Sequence, residues 1–92
     1  VRNISAVWKL ELSKRVKHHL KTHPRFYDDV MNEKKCFELR INDRDYQIGD
    51  VFILHEFKDG EYTGRWYVNV IDYILKDCPE YGLMDGYCIF GW

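Results

Sequence analysis

Apolar and polar residues alternate strictly along Cys36-Phe37-Glu38-Leu39-Arg40-Ile41, with Phe37, Leu39 and Ile41 on one side of an extended chain and Glu38 and Arg40 on the other. Upstream the period is helical. Phe26, Tyr27, Val30 and Met31 share one face, while Arg25, Asp28, Asp29 and Asn32 take the opposite one. Pro24 suits a first helical position because its missing N–H has no partner there in any case, so a short helix is predicted over about 24–33. Residues 16–22 read as a strand leading into it. Asn42-Asp43-Arg44-Asp45 and Gly49-Asp50 are polar turns, and the second launches the apolar run Val51 to Phe57, a central strand. Lys58-Asp59-Gly60-Glu61 is a hairpin turn with Gly placed for positive φ. A long strand is predicted from Arg65 to Leu75, with Trp66, Val68, Val70, Asp72 and Ile74 on one face. Cys78 to Gly82 is a loop, and Tyr87 to Phe90 a last strand. One helix among tightly connected strands predicts an α+β fold, a small β-barrel of about five or six mostly antiparallel strands capped by the helix. Residues 1–15 are an extension in which Ala6, Val7, Trp8, Leu10 and Leu12 fit either a helix or an added strand, and residues 16–92 form the domain.

Composition narrows the class. The 92 residues are 46% hydrophobic and 32% charged, which excludes disorder, and their number permits one modest core. Aromatic content of 16% fits a sheet-based fold. No apolar run approaches the length of a membrane span, and the first residues lack the apolar core of a signal peptide, so no membrane partner is expected. Cys36, Cys78 and Cys88 are odd in number and form no CxxC, as expected of reduced thiols in a cytoplasmic protein. His18, His19 and His23 lack a cysteine pair to complete a zinc site, so neither metal nor cofactor is expected.

The net charge of -1 hides a gradient. Residues 1–44 hold 11 Lys and Arg against 6 Asp and Glu, and residues 45–92 hold 3 against 9. Such asymmetry fits a face for an anionic partner, or two halves that cancel in the fold. Lys21, Lys35, Arg40 and Arg44 are four cations within one strand–helix–strand segment. Glu38 and Arg40, two apart on a strand and flanked by core residues, point to the same side. Arginine forks suit phosphate, and a carboxylate suits a base or a ribose hydroxyl. The plain reading is a set of solvated ion pairs. His18 is a candidate proton carrier or ligand contact, or else a hydrogen-bonded structural residue. Tyr62, Tyr67 and Tyr73 can stack a base or fill the core. His19 and His23 read as exposed, His55 as partly buried, and Trp66, Trp92 and Cys36 as packing residues.

Lys35-Cys36-Phe37-Glu38-Leu39-Arg40 resembles the K-T-x-E-x-R signature of ASCH (activating signal cointegrator homology) domains, small barrels related to the PUA RNA-binding domains. His18-His19-Leu20-Lys21, residues 42–51 and Tyr62-Thr63-Gly64-Arg65 are similar to segments of a compact bacterial and phage subfamily. The likeness covers about residues 16–91. Glu33 stands where that family usually has Gly, and Cys36 where it has Thr. The resemblance implies a PUA-like barrel and an RNA- or nucleotide-binding module, whose ligand meets His18, Lys21, Lys35, Glu38, Arg40, Arg44, Tyr62 and Thr63. One enzymatic branch hydrolyses an acylated cytidine through a Lys, a Thr and a loop Glu. The Lys corresponds to Lys35, the Thr to Glu38, and the Glu to no clear residue. A small amidohydrolase on a modified nucleoside, with Lys35 and Glu38 as catalytic residues, is thus the alternative expectation. A protein-interaction module, with the acidic half as its contact, is a third.

Overall fold

The computed structural model of the chain describes residues 13–92. The segment read as an N-terminal extension therefore lies outside the described residues except for its last three. The elements are β1 (Lys17–Thr22), α1 (Pro24–Met31), β2 (Phe37–Ile41), β3 (Val51–Lys58), β4 (Glu61–Val70), β5 (Tyr73–Lys76) and β6 (Tyr87–Gly91), with a short 3₁₀ turn at Pro79–Tyr81. This is the expected α+β arrangement of six strands and one helix. Among the described residues the strands form two three-stranded sheets rather than one closed barrel. Their orders are β1-β3-β4 and β2-β6-β5. Only β1 and β3 run parallel, joined through α1 and β2, and the other ladders are antiparallel.

Local chemistry sets the element ends. His23 caps α1, its Nδ1 accepting from the Arg25 amide at 3.2 Å, and Pro24 follows at the first helical position. The helix stops at Asn32, and Glu33 beyond it takes a left-handed φ of 58°. The Asp59-Gly60 turn has φ of 52° and 80°, the two positive values that a tight hairpin requires.

The predicted long strand over 65–75 is instead two strands in different sheets. At the corner, the Ile71 amide donates to the Asp50 carbonyl at 2.8 Å and the Asp72 amide to the Gly91 carbonyl at 2.8 Å. The chain thus leaves β3 for β6, and buried Ile71 anchors the bend. No Gly or Pro marks the spot, because the corner is made by the partners its backbone finds.

The core lies between the sheets. Leu20, Val30, Tyr46, Phe52, Leu54, Ile71, Cys88 and Phe90 form it, with Tyr67, Ile74 and Trp92 packed alongside. Trp92 packs against Phe52 with ring centroids 4.6 Å apart and planes tilted by 46°, as a packing residue should. Trp66 does not: it stands on the outer face of β4, 58% exposed. Cys36 is exposed as well. On α1 only Tyr27 and Val30 are fully buried, and Phe26 looks outward.

The largest departure concerns β2. Its register pairs Glu38 with Phe90 and Arg40 with Cys88, both core residues of β6. Side chains opposite one another share a face, so Glu38 and Arg40 point inward. Phe37, Leu39 and Ile41 face outward and are 47%, 56% and 55% exposed. They stand beside Tyr73 and Leu75 of β5 on one apolar outer surface. They are therefore not core residues flanking the two charged side chains.

Candidate functional site

Glu38 is the centre of the inward-facing cluster. It is 4% exposed, and an unpaired carboxylate at that depth would be strongly disfavoured. Two cations answer it. Lys35 Nζ donates to Oε1 at 2.7 Å and also to the Phe37 carbonyl at 2.7 Å, while Arg40 Nε donates to Oε2 at 3.0 Å. These three side chains meet, but as a closed ion-pair cluster rather than as the walls of one cationic cleft: only Arg40 of the three borders the hollow.

Arg40 then reaches across to the first sheet, where Nη2 donates to the Lys21 carbonyl at 2.8 Å. Arg44, from the turn after β2, does the same one pair earlier: its Nη1 donates to the His19 carbonyl at 2.8 Å. Both guanidinium groups thus hold the backbone of β1, an edge strand of its sheet. A hollow of about 210 Å³ opens beside them, lined by Leu20, Arg40, Ile41, Asp43, Arg44 and Tyr46. Burial raises the Tyr46 hydroxyl above its ordinary range, against the opposing pull of Arg44 and Arg40, so it stays a neutral phenol at physiological pH. Each guanidinium carries five N–H donors, more than the bonds to Glu38 and β1 employ.

The other sequence-predicted site residues disperse. His18 is buried, and its Nε2 donates to Asp50 Oδ2 at 2.8 Å. The same carboxylate oxygen accepts from the Gln47 amide at 3.0 Å. The His18 ring meets Tyr46 edge-on at 4.7 Å. This contact fastens the 46–50 turn against β1 behind the hollow. Lys35 and Glu38 do not line the hollow either. Lys21 and Tyr62 lie on the outer face of the first sheet, where Lys21 Nζ sits 4.4 Å from the centre of the Phe57 ring.

Thr63 belongs to a separate clamp. Its hydroxyl donates to Glu56 Oε1 at 2.6 Å, and Arg65 donates to both oxygens of the same carboxylate, at 2.9 and 2.6 Å. Those hydrogen bonds, from Arg65 first and Thr63 second, hold the Glu56 carboxyl below the usual range, while burial opposes them. Arg65 also reaches Asp28 Oδ1 at 3.3 Å and lies 4.8 Å over the Tyr27 ring, tying α1 to β3 and β4.

Sequence reasoning did not single out Asp43, Leu20 and Tyr46 as hollow-lining residues. Their adjacency to Arg44 and to Lys21 along the chain was the available signal. Glu56 was missed because its parity in an apolar strand gives no hint of two partners seven and nine residues away.

The class these features define is a small two-sheet α+β domain with paired arginines at a sheet edge and no helix, among the described residues, long and apolar enough to cross a membrane. Residues 17–92 match the family described as Domain of unknown function (DUF3850), and the chain belongs to that family. Over 48 residues it is 46% identical to an uncharacterized 12.9 kDa protein in the GpA 3′ region of Escherichia phage P2. The match covers 52% of this chain and 44% of the phage protein, less than half of that protein's length.

Proposed function

We propose that this protein is an RNA- or nucleotide-binding module whose hollow beside Arg40 and Arg44 takes a phosphate and the ribose attached to it. The observation that carries this reading is the pair of guanidinium groups anchored on neighbouring carbonyls of β1 and lining one hollow. Anchoring fixes the forks before a ligand arrives, which lowers the ordering cost of binding. Arginine donors match phosphate oxygens, and the Asp43 carboxylate can accept from a ribose hydroxyl. The hollow is smaller than the roughly 300–1,000 Å³ of sites for drug-sized ligands, so it suits part of a nucleotide. The likeness of residues 35–40 to the ASCH signature supports the same reading, with a PUA-like ancestry for the domain. A soluble setting such as the cytoplasm fits this ligand class.

The hydrolase reading depends on Lys35 and Glu38. Both oxygens of Glu38 are engaged by cations, and neither residue borders the hollow, so no observation favours catalysis over binding.

The test is titration with uridine monophosphate and with short RNA at about 50 and 200 mM salt. Binding should weaken steeply at the higher salt. Arg44→Gln removes a fork without touching Glu38 and should weaken binding about tenfold, the loss of roughly 1.4 kcal/mol. A folded protein that binds neither ligand at either salt overturns the proposal.

A further inference from the structure

The outer face of the β1-β3-β4 sheet carries a row of rings with a cation among them. In the strand register Lys21 of β1 stands beside His55 of β3, and His55 beside Trp66 of β4; one step further, Phe57 stands beside Tyr62. The rings touch in sequence. His19 and His55 lie 5.1 Å apart between centroids with planes 21° apart, His55 and Tyr62 5.9 Å apart, and Phe57 and Tyr62 5.0 Å apart. Lys21 Nζ lies 4.4 Å from the Phe57 centroid and 5.8 Å from that of Tyr62. Trp66 and Tyr62 are 58% and 60% exposed. Keeping rings of that size in water forgoes a large gain from burial.

The apolar outer face of the second sheet, with Phe37, Leu39, Ile41, Tyr73 and Leu75, offers a comparison. Its five residues carry no charge themselves, although Lys35 Nζ lies 5.2 Å from the Phe37 centroid. The first sheet's row holds a lysine and two imidazoles and no carboxylate. Glu56, from the same strand, is held on the opposite side by Arg65. Exposed rings beside a lysine match stacked bases on a phosphate backbone.

The row also adjoins the hollow. Arg40 and Arg44 hold the carbonyls of Lys21 and His19, the two β1 residues whose side chains begin the row. Because β1 is the edge strand and β3 lies between it and β4, a polynucleotide leaving the hollow crosses β1 and β3 to reach Tyr62 and Trp66 on β4.

We infer that this face is a stacking platform for single-stranded nucleic acid, with Tyr62 and Trp66 each receiving a base 3′ or 5′ of the nucleotide held at Arg40 and Arg44. The inference rests on the proposed function and extends the ligand from a nucleotide to a single-stranded oligomer. The shared chemistry, a base on a phosphodiester chain, is common to RNA and DNA.

The experiment uses the 92-residue chain. Affinities are measured for uridine monophosphate, octauridylate, octathymidylate and an eight-base-pair duplex. An octamer should bind at least tenfold more tightly than the monophosphate, and the duplex, whose bases are already stacked, should gain nothing comparable. RNA and DNA octamers report which sugar is preferred. Trp66→Ala and Tyr62→Ala should each weaken octamer binding about tenfold, Trp66→Phe should restore most of it, and monophosphate affinity of Trp66→Ala should stay within twofold. If both alanine variants bind the octamers as the parent chain does, the platform is overturned, as it would be if this face served a protein partner. If the monophosphate binds and the octamers gain nothing, the platform falls and the hollow stands. If the octamers bind with the expected dependence on Trp66 and the monophosphate does not bind, the hollow falls and the platform stands. If nothing binds, both are overturned.

Discussion

Glu33 follows the last turn of α1 in the left-handed region, φ 58°. At this position glycine escapes the contact between Cβ and the carbonyl oxygen that a left-handed L-residue suffers, a cost of roughly 1–2 kcal/mol. The family resemblance already marked residue 33 as the place where glycine is usual, and the backbone shows why. Glu33→Gly should therefore stabilise the fold by about 1 kcal/mol, less whatever the freer unfolded chain takes back. Urea denaturation checks this: the midpoint should rise with an unchanged slope. At the same scale, the approach of Glu38 and Arg40 was legible because two-residue spacing on a strand puts both side chains on one face, and Lys35 joins them from the turn just before the strand. The partners of Thr63 were not, since its bond to Glu56 crosses a hairpin whose register shifts between His55 and Phe57.

Strand β2 shows what alternation can and cannot say. Period two separates Phe37, Leu39 and Ile41 from Glu38 and Arg40 without stating which set turns inward. Hydrophobicity favours the apolar set, and the ladder with β6 chose the other, because Lys35 and Arg40 neutralise Glu38 while Phe90 and Cys88 fill the space around it. Substitutions should follow the observed faces. Leu39→Thr, at a half-exposed site with a β-branched replacement, should change stability by no more than about 0.5 kcal/mol. Leu54→Ala, in the fully buried centre of β3, should cost about 2–5 kcal/mol. Thermal or urea unfolding of the two variants side by side measures the difference, and equal losses would contradict the register. The break between β4 and β5 belongs to this scale too. The sequence around Ile71 and Asp72 continues a strand pattern, and only the hydrogen bonds to Asp50 and Gly91 turn it into a corner.

Across the whole molecule the charge gradient does not resolve into simple cancellation. Glu38 takes Lys35 and Arg40 from its own basic half and Glu56 takes Arg65 from its own acidic half, while His18–Asp50 and Arg65–Asp28 join the two halves. Arg40 and Arg44 converge on one edge of the first sheet, which is where the proposed ligand lies. Titration should reveal two limbs in stability. Burial, and secondarily the charge of His19, lower the His55 pKa from 6.5, so between that lowered value and 6.5 the unfolded chain binds more protons and stability falls as pH drops below about 6.5. Glu56 is lowered from 4.5, mainly by the Arg65 hydrogen bonds. Its contribution is full above about pH 4.5 and is lost as pH falls through the lowered value. Denaturant titrations from pH 7.5 to 3 should show both declines, and His19→Ala should make the upper one shallower.

By itself the amino-acid order determined the class of fold, the helix with its Pro24 start, the Asp59-Gly60 hairpin and the meeting of Lys35, Glu38 and Arg40. Each depends on interactions within a few residues, which periodicity and turn chemistry encode directly. Tertiary structure alone decided which face of β2 is inside, where the chain turns at Ile71, and that Arg40 and Arg44 clasp β1 while the rings of His55, Tyr62 and Trp66 line up beyond it. Those arrangements depend on pairing between strands far apart in the chain, and a register between distant segments is settled by the packing of the whole core.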